Sequence, residues 1–280
     1  MPLTRKQIHE QVYFYTLVLI AISLPLSIFT TSMFQLVLLL NWLVELRYRE
    51  KWQKVVSNRA LQLFLLIFGL HVVGLLWSSD LAYAMHDIKI KLPLLAFPVI
   101  IATSRPLTAR EVRRLLLFFS LGVLAASMAS LFKLAGWISG GMEGYRDLSL
   151  FISHIRFSLM GVLALLVSVY FLFIKRKGIP VAEKAYYAAV LIWFPVFLVL
   201  LKSLSGIAIA GLLAFIVLLR ALIEIRDPVI RFMVLVPVLM IPLFSILYLS
   251  HSIERFYRIE QVDEEELDRY TAEGNPYKHR

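Results

Sequence analysis

Between Ala185 and Leu219 the chain runs for thirty-five residues with a single charge, Lys202, at the centre. Lys184 closes the stretch on one side and Arg220 on the other. A bilayer has a hydrocarbon core about 30 Å thick, which about 20 helical residues can cross. One helix of the full length would overshoot it. The pattern therefore predicts a hairpin of two helices of about seventeen residues each, turning at Lys202-Ser203-Leu204-Ser205-Gly206. The brackets then share one membrane face, and Lys202 lies at the other. A lysine in that place is either a snorkelling anchor or a cation at the mouth of a pocket.

The rest of the chain has the same character. Apolar residues make up 60% of the 280, charged residues 17%, and the mean hydropathy is +0.77. A soluble domain of this size has too little interior to hide that much apolar surface, so the expected fold is all-α, a polytopic membrane protein. Zero cysteines exclude disulfides, thiolate metal sites and a cysteine nucleophile. Met1–Thr30 has the basic start of a signal peptide, but its apolar run is long and no small-residue cleavage site follows. It reads as a retained first span.

About nine spans are expected: Val12–Phe29, Met33–Leu46, Ala60–Trp77, Leu92–Thr103, Leu115–Trp137, Phe157–Ile174, the two hairpin helices, and Met233–Ser250. Residues 1–250 would form the membrane domain and 251–280 a polar tail. Thr30-Thr31-Ser32 is expected to turn the chain between the first two spans, and Arg47–Arg59 to form a basic loop. Ser78–Leu92 reads as an amphipathic surface helix with Asp87 and Lys91 paired, ending where Pro93 opens the fourth span. Thr108 and Glu111 spell a capping box before a basic surface helix. Gln35 and Asn41 should face other helices, and His71 should hydrogen-bond inside the bundle. Gly122, Ala126 and Ser130 recur every four residues, as do Gly206, Ala210 and Ala214, and each set predicts close helix contact.

Charge orients the expected topology. With the N-terminus inside, the inside segments hold eighteen Lys and Arg, against six outside once the tail is set apart. That bias places the N-terminus in the cytoplasm and the tail beyond the membrane. The net charge of +10 then reflects topology rather than nucleic-acid binding. The outer face gathers Lys89, Lys91, Arg146, His154, Arg156, Lys202, Arg255 and Arg258. Each alone fits an interfacial anchor. Brought together, they would suit the phosphate oxygens of a lipid carrier. His154, at the entry to the sixth span, fits either a general base or a polar helix start. The acidic run Asp263–Asp268 lacks the glycine and alternating spacing of a calcium loop and reads as a solvated helical stretch. No nucleotide or metal motif is present, so no cofactor and no metal are expected.

Several short motifs carry a family resemblance. They are Leu75-Leu76-Trp77-Ser78-Ser79-Asp80, then Lys89-Ile90-Lys91-Leu92-Pro93-Leu94-Leu95-Ala96-Phe97-Pro98, and Ser153-His154-Ile155-Arg156-Phe157-Ser158-Leu159. Leu201-Lys202-Ser203-Leu204-Ser205-Gly206 and Gly274-Asn275-Pro276-Tyr277 complete the set. In their order the chain resembles the O-antigen ligase and O-antigen polymerase superfamily, in its Bacteroidetes-type form. The resemblance implies a metal-independent inverting glycosyltransferase at the outer side of the bacterial inner membrane. Its donor would be an undecaprenyl-diphosphate-linked glycan, its acceptor lipid A–core or another glycan. Lys89, Lys91, Arg156 and Lys202 match the family's cationic set, and Arg255 and Arg258 extend the expected diphosphate site. The catalytic base is left unassigned, with His154 and His279 as candidates. Relatives carry Ser-Arg-x-Gly where this chain has Ser203-Leu204-Ser205-Gly206, so Lys202 would supply that charge. Relatives also continue through a larger outer loop and further spans, so the chain is expected to be a fragment, an incomplete gene product or an inactive relative. Two other readings stay open: a transporter or flippase for an anionic lipid-linked substrate, and a non-catalytic membrane scaffold.

Overall fold

The computed structural model describes residues 4–137, 145–175, 177–225 and 227–257. Among these, ten α-helices and no strand are found. In chain order they are α1 Arg5–Ser23, α2 Ile28–Val44, α3 Tyr48–Ser57, α4 Arg59–Val73, α5 Leu81–Thr103, α6 Ala109–Leu134, α7 His154–Val169, α8 Val181–Leu200, α9 Leu204–Glu224 and α10 Pro228–Tyr257. A 3₁₀ turn, Gly74–Trp77, extends α4, another covers Tyr145–Leu148, and a π-turn, Tyr170–Ile174, extends α7. The chain divides into two compact units, Met1–Ala210 and Gly211–Arg280.

Side chains start the helices where the backbone needs them. Thr4 and Gln7 close a capping box on α1, and Thr108 and Glu111 close the expected one on α6. Ser27, Asn58 and Asp80 accept from the first-turn amides of α2, α4 and α5, and Asp227 from those of α10. Each such cap satisfies amides that have no partner within the helix.

Among the described residues, four helical segments are long and apolar enough to cross a membrane: Arg59–Trp77, Ala109–Leu134, His154–Ile174 and Val181–Leu200. A fifth crossing arises if α2 and α3 count as one bent span. Nine were expected, and α2, α5 and α9 fall outside this set for local reasons. The apolar run of α2 does not continue straight: Leu46 and Arg47 take left-handed φ values of 62° and 53°, and α3 leaves at 109°. The expected basic loop at 47–59 is thus mostly the amphipathic helix α3. Charges at Asp87, Lys89 and Lys91 dilute the first half of α5. The apolar part of α9, Leu204–Arg220, is shorter than the four.

Other boundaries move as well. The first turn lies at Leu24–Ser27, around Pro25, and Thr30–Ser32 belong to α2. The surface helix and fourth span expected around Pro93 are one continuous helix, α5, with Pro93 and Pro98 inside it. Proline is tolerated in an apolar helix where neighbouring groups take up the freed carbonyls. The basic surface helix and fifth span likewise fuse into α6. The turn between α8 and α9 is shorter than expected, since Leu204, Ser205 and Gly206 are already helical. His71 bonds the carbonyl of Ile67 in its own helix, at 2.8 Å, rather than a neighbour. The last helix continues to Tyr257, past the expected tail boundary. The acidic run, Gly140-Gly141, Gly274–Tyr277, Arg258 and His279 lie outside the described residues.

Within the first unit, α1 sits between α2 and α6. Tyr13, Leu17 and Ile20 of α1 are buried with Leu38 of α2 and Ile100 of α5. A Cβ at Gly122 would overlap the Ile22 backbone of α1, so the small-residue stripe on α6 is the seam where that helix approaches. Farther along, α6, α7 and α8 pack around Val167, Phe171 and Tyr187. Two bridges cross from α8 to α6. Tyr186 donates to Ser120 at 2.8 Å, and Trp193 donates to Ser127 at 2.9 Å.

Candidate functional site at the α7–α9 corner

The first turn of α7 and the turn between α8 and α9 meet at one end of the first unit. Ser203 donates to Ser158 at 2.7 Å, and Ser158 donates onward to the Ile155 carbonyl at 2.8 Å. Both serines are buried. Gly206 lies so close that a Cβ there would come within 2.7 Å of the Ser158 Cβ. This approach explains a glycine in the first turn of α9.

Local chemistry sets each cation in place. Leu201 caps α8, and Lys202 follows with φ 49°, the left-handed conformation that commonly ends a helix. Its amide donates to the Val199 carbonyl at 3.0 Å. Lys202 is exposed, while Leu201 and Ser203 on either side are buried. His154 and Arg156 occupy the first turn of α7, which contains no acid. Cations at a helix N-terminus add to the positive end of the helix dipole instead of offsetting it. The start of α9 lies beside them, behind Ser203. The α7 turn that carries Arg156 and the turn that carries Lys202 are thus joined through Ser158 and Ser203, with two helix N-termini at one corner, a setting that favours an anion.

Of the other expected cations, Lys89 and Lys91 lie away from this corner. Tyr145–Leu148, which includes Arg146, packs against α6 and α7, and Lys133 donates to the Asp147 carbonyl at 3.0 Å. Lys91 pairs with Asp87 at 2.6 Å, as the spacing predicts, and Lys89 is exposed. Both lie on α5, which packs against α2, α3 and α4. Arg255 belongs to the second unit.

A polar pocket of about 760 Å³, open to solvent, lies at the opposite end of the first unit. No sequence motif pointed to it, because its walls come from α1, the α2–α3 corner and the α5–α6 link. Lys51 is almost fully buried, pairs with Glu45 at 3.0 Å, donates to the Trp42 carbonyl and lies 4.4 Å from the Trp42 ring centre. Lys54 donates to the carbonyls of Thr103 and Ser104 at 2.8 and 3.1 Å. Asn41 and His9 are joined by two hydrogen bonds, the partner expected for that amide. Arg105 grips Glu111 through both guanidinium ends and faces Glu10 at 3.8 Å. The bond to Glu111 is the largest influence raising the Arg105 pKa, so the guanidinium stays charged. These charges answer one another, and the pocket reads as a fastening between elements.

Among the described residues no group of three or more His, Cys, Asp or Glu is placed to hold a metal. The class defined by these features is an all-helical protein with four to five helices fit to cross a membrane. No protein-family model, curated protein or solved structure matches the chain.

Proposed function

We propose that the chain is a glycan ligase or polymerase of the bacterial inner membrane. It transfers an O-antigen-type glycan from undecaprenyl diphosphate to lipid A–core or to another glycan. In this reading nine helices cross the bilayer, α1, α2 and α4 to α10, while α3 lies along the cytoplasmic surface. The N-terminus is cytoplasmic and the α7–α9 corner faces the periplasm.

One observation supports the reading beyond the family resemblance: the Ser203–Ser158 hydrogen bond, which holds the Lys202 turn against the first turns of α7. Transfer forms a bond from the acceptor oxygen to the anomeric carbon and breaks the bond to the diphosphate oxygen. The acceptor proton leaves to a base, for which His154 is the candidate nearest the corner. Negative charge builds on the departing diphosphate. In this reading Arg156, Lys202 and the two helix N-termini stabilise it.

The test is covalent transfer by the full chain in vesicles supplied with undecaprenyl-diphosphate glycan and lipid A–core or a glycan acceptor. Product from the intact chain, lost in Arg156→Ala and Lys202→Ala, is the expected result. Substrate uptake with no covalent product would overturn the reading in favour of a transporter. No activity from correctly folded intact chain would also overturn it.

A further inference from the structure

A second cavity, of about 950 Å³ and open to solvent, lies between the first turns of α6 and the link from the π-turn to α8. This end of the first unit is opposite the α7–α9 corner. We propose that the cavity seats the phosphate-bearing headgroup of an anionic phospholipid.

Charge complementarity carries the proposal. Among the described residues, four cations line the cavity, Arg110 and Arg113 from α6 and Lys175 and Lys177 from the link, and no acidic side chain does. Arg113 is committed to structure: it donates to the Gly178 carbonyl at 3.0 Å and faces Glu183 at 3.6 Å. Gly178 has φ 74°, and the bond to Arg113 holds this left-handed turn over the start of α6. The side chains of Arg110, Lys175 and Lys177 form no ion pair or hydrogen bond with another described residue, and all three are exposed.

The walls distinguish a lipid from a free anion. Leu116 and Phe171 form an apolar back, and Phe173 and Ile174 stand exposed on the adjoining π-turn. A soluble phosphate would gain nothing from these surfaces, whereas a lipid can lay its glycerol and first methylenes against them. The π-turn itself, a geometry frequent at functional positions, sets where Lys175 leaves the helix.

Basic loops on a cytoplasmic face also attract anionic membranes without any seat, by about 1 kcal/mol for each Lys or Arg near the surface. A diffuse field depends on how many charges are present, not on which. Purified full chain in neutral detergent is titrated with dioleoyl phosphatidylglycerol, dioleoyl phosphatidylcholine or inorganic phosphate, and bound lipid is read by native mass spectrometry. Phosphatidylglycerol is expected to bind in preference to phosphatidylcholine. Lys175→Gln/Lys177→Gln is expected to weaken phosphatidylglycerol roughly tenfold or more. Arg49→Gln/Arg59→Gln, which removes two exposed cations that do not line the cavity, is expected to change it less than twofold. Equal losses in the two pairs would overturn the proposal in favour of a diffuse field. Equal binding of the two lipids by the unaltered chain would overturn it without reference to any variant. Displacement of phosphatidylglycerol by millimolar inorganic phosphate would assign the cavity to a soluble anion instead. Glycan transfer enters none of these measurements, so the lipid seat and the transferase reading can fail separately.

Discussion

The polar pocket at the start of the chain and the α7–α9 corner hold similar residues in opposite arrangements. In the pocket, Lys51 meets Glu45, Arg105 meets Glu111 and Glu10, and Lys54 meets two carbonyls. At the corner, His154 and Arg156 are stacked on a helix start with no acid in the turn. The first arrangement lowers the energy of the fold. The second works slightly against its own helix, and such a placement is useful when an anion arrives to complete it. The number of charges therefore does not mark a site. What separates the two ends is that acids sit among the cations of the pocket, while two helix N-termini lie at the corner.

The largest expected effect tests the corner. Arg156→Ala and Lys202→Gly should each lower transfer by about 100-fold or more, the scale for losing one donor that stabilises a transition-state charge. Arg156→Ala should keep its thermal stability, and Lys202→Gly should not fall below that of the intact chain. If transfer survives in both while the protein stays folded, the contrast between the two ends has no functional meaning.

Next is the pocket. Lys51→Ala leaves Glu45 and the Trp42 carbonyl without their partner in a nearly closed setting. It should lower stability by about 2 kcal/mol, measured by thermal unfolding in detergent. Transfer per folded molecule should not change. A fall in transfer with stability intact would move the site to this end.

A double-mutant cycle sharpens the pocket side. Arg105→Gln and Glu111→Gln should show a coupling of about 1–2 kcal/mol, since the pair is bidentate and only partly exposed. Coupling near zero would make Arg105 a surface charge and the pocket a poor example of answered charge.

The smallest effect concerns the backbone at the corner. Lys202 holds a left-handed φ that glycine adopts without strain. Lys202→Gly should therefore raise stability by up to ~1 kcal/mol, and Lys202→Ala should not. A glycine variant that is less stable than wild type would show that the lysine side chain, not the turn, holds this corner.

Much of the fold was legible where the signal is local. The Thr108–Glu111 box, the Asp87–Lys91 pair and the buried stripe of Gly122, Ala126 and Ser130 follow from spacing alone. The Thr4–Gln7 box carried the same signal and went unread. Corners were less legible. The bend at Leu46–Arg47 depends on two residues in a conformation that their identities do not announce, and on Tyr48 and Lys51 bonding back to α2. Pro93 suggested a break, yet α5 runs through it. In the candidate site, sequence could nominate Arg156 and Lys202 as outer cations. Only packing could bring Ser158 to Ser203, forty-five positions apart, and leave Lys89 and Lys91 in another layer of helices. The polar pocket was invisible for the same reason.

The two bridges between α8 and α6 have a mechanical consequence. Their donors, Tyr186 and Trp193, stand one heptad apart, and so do their acceptors, Ser120 and Ser127. The pair works like two rungs between parallel staves. A slide of either helix by one turn would unseat both rungs together, so the bridges favour α6 and α8 moving as a single frame.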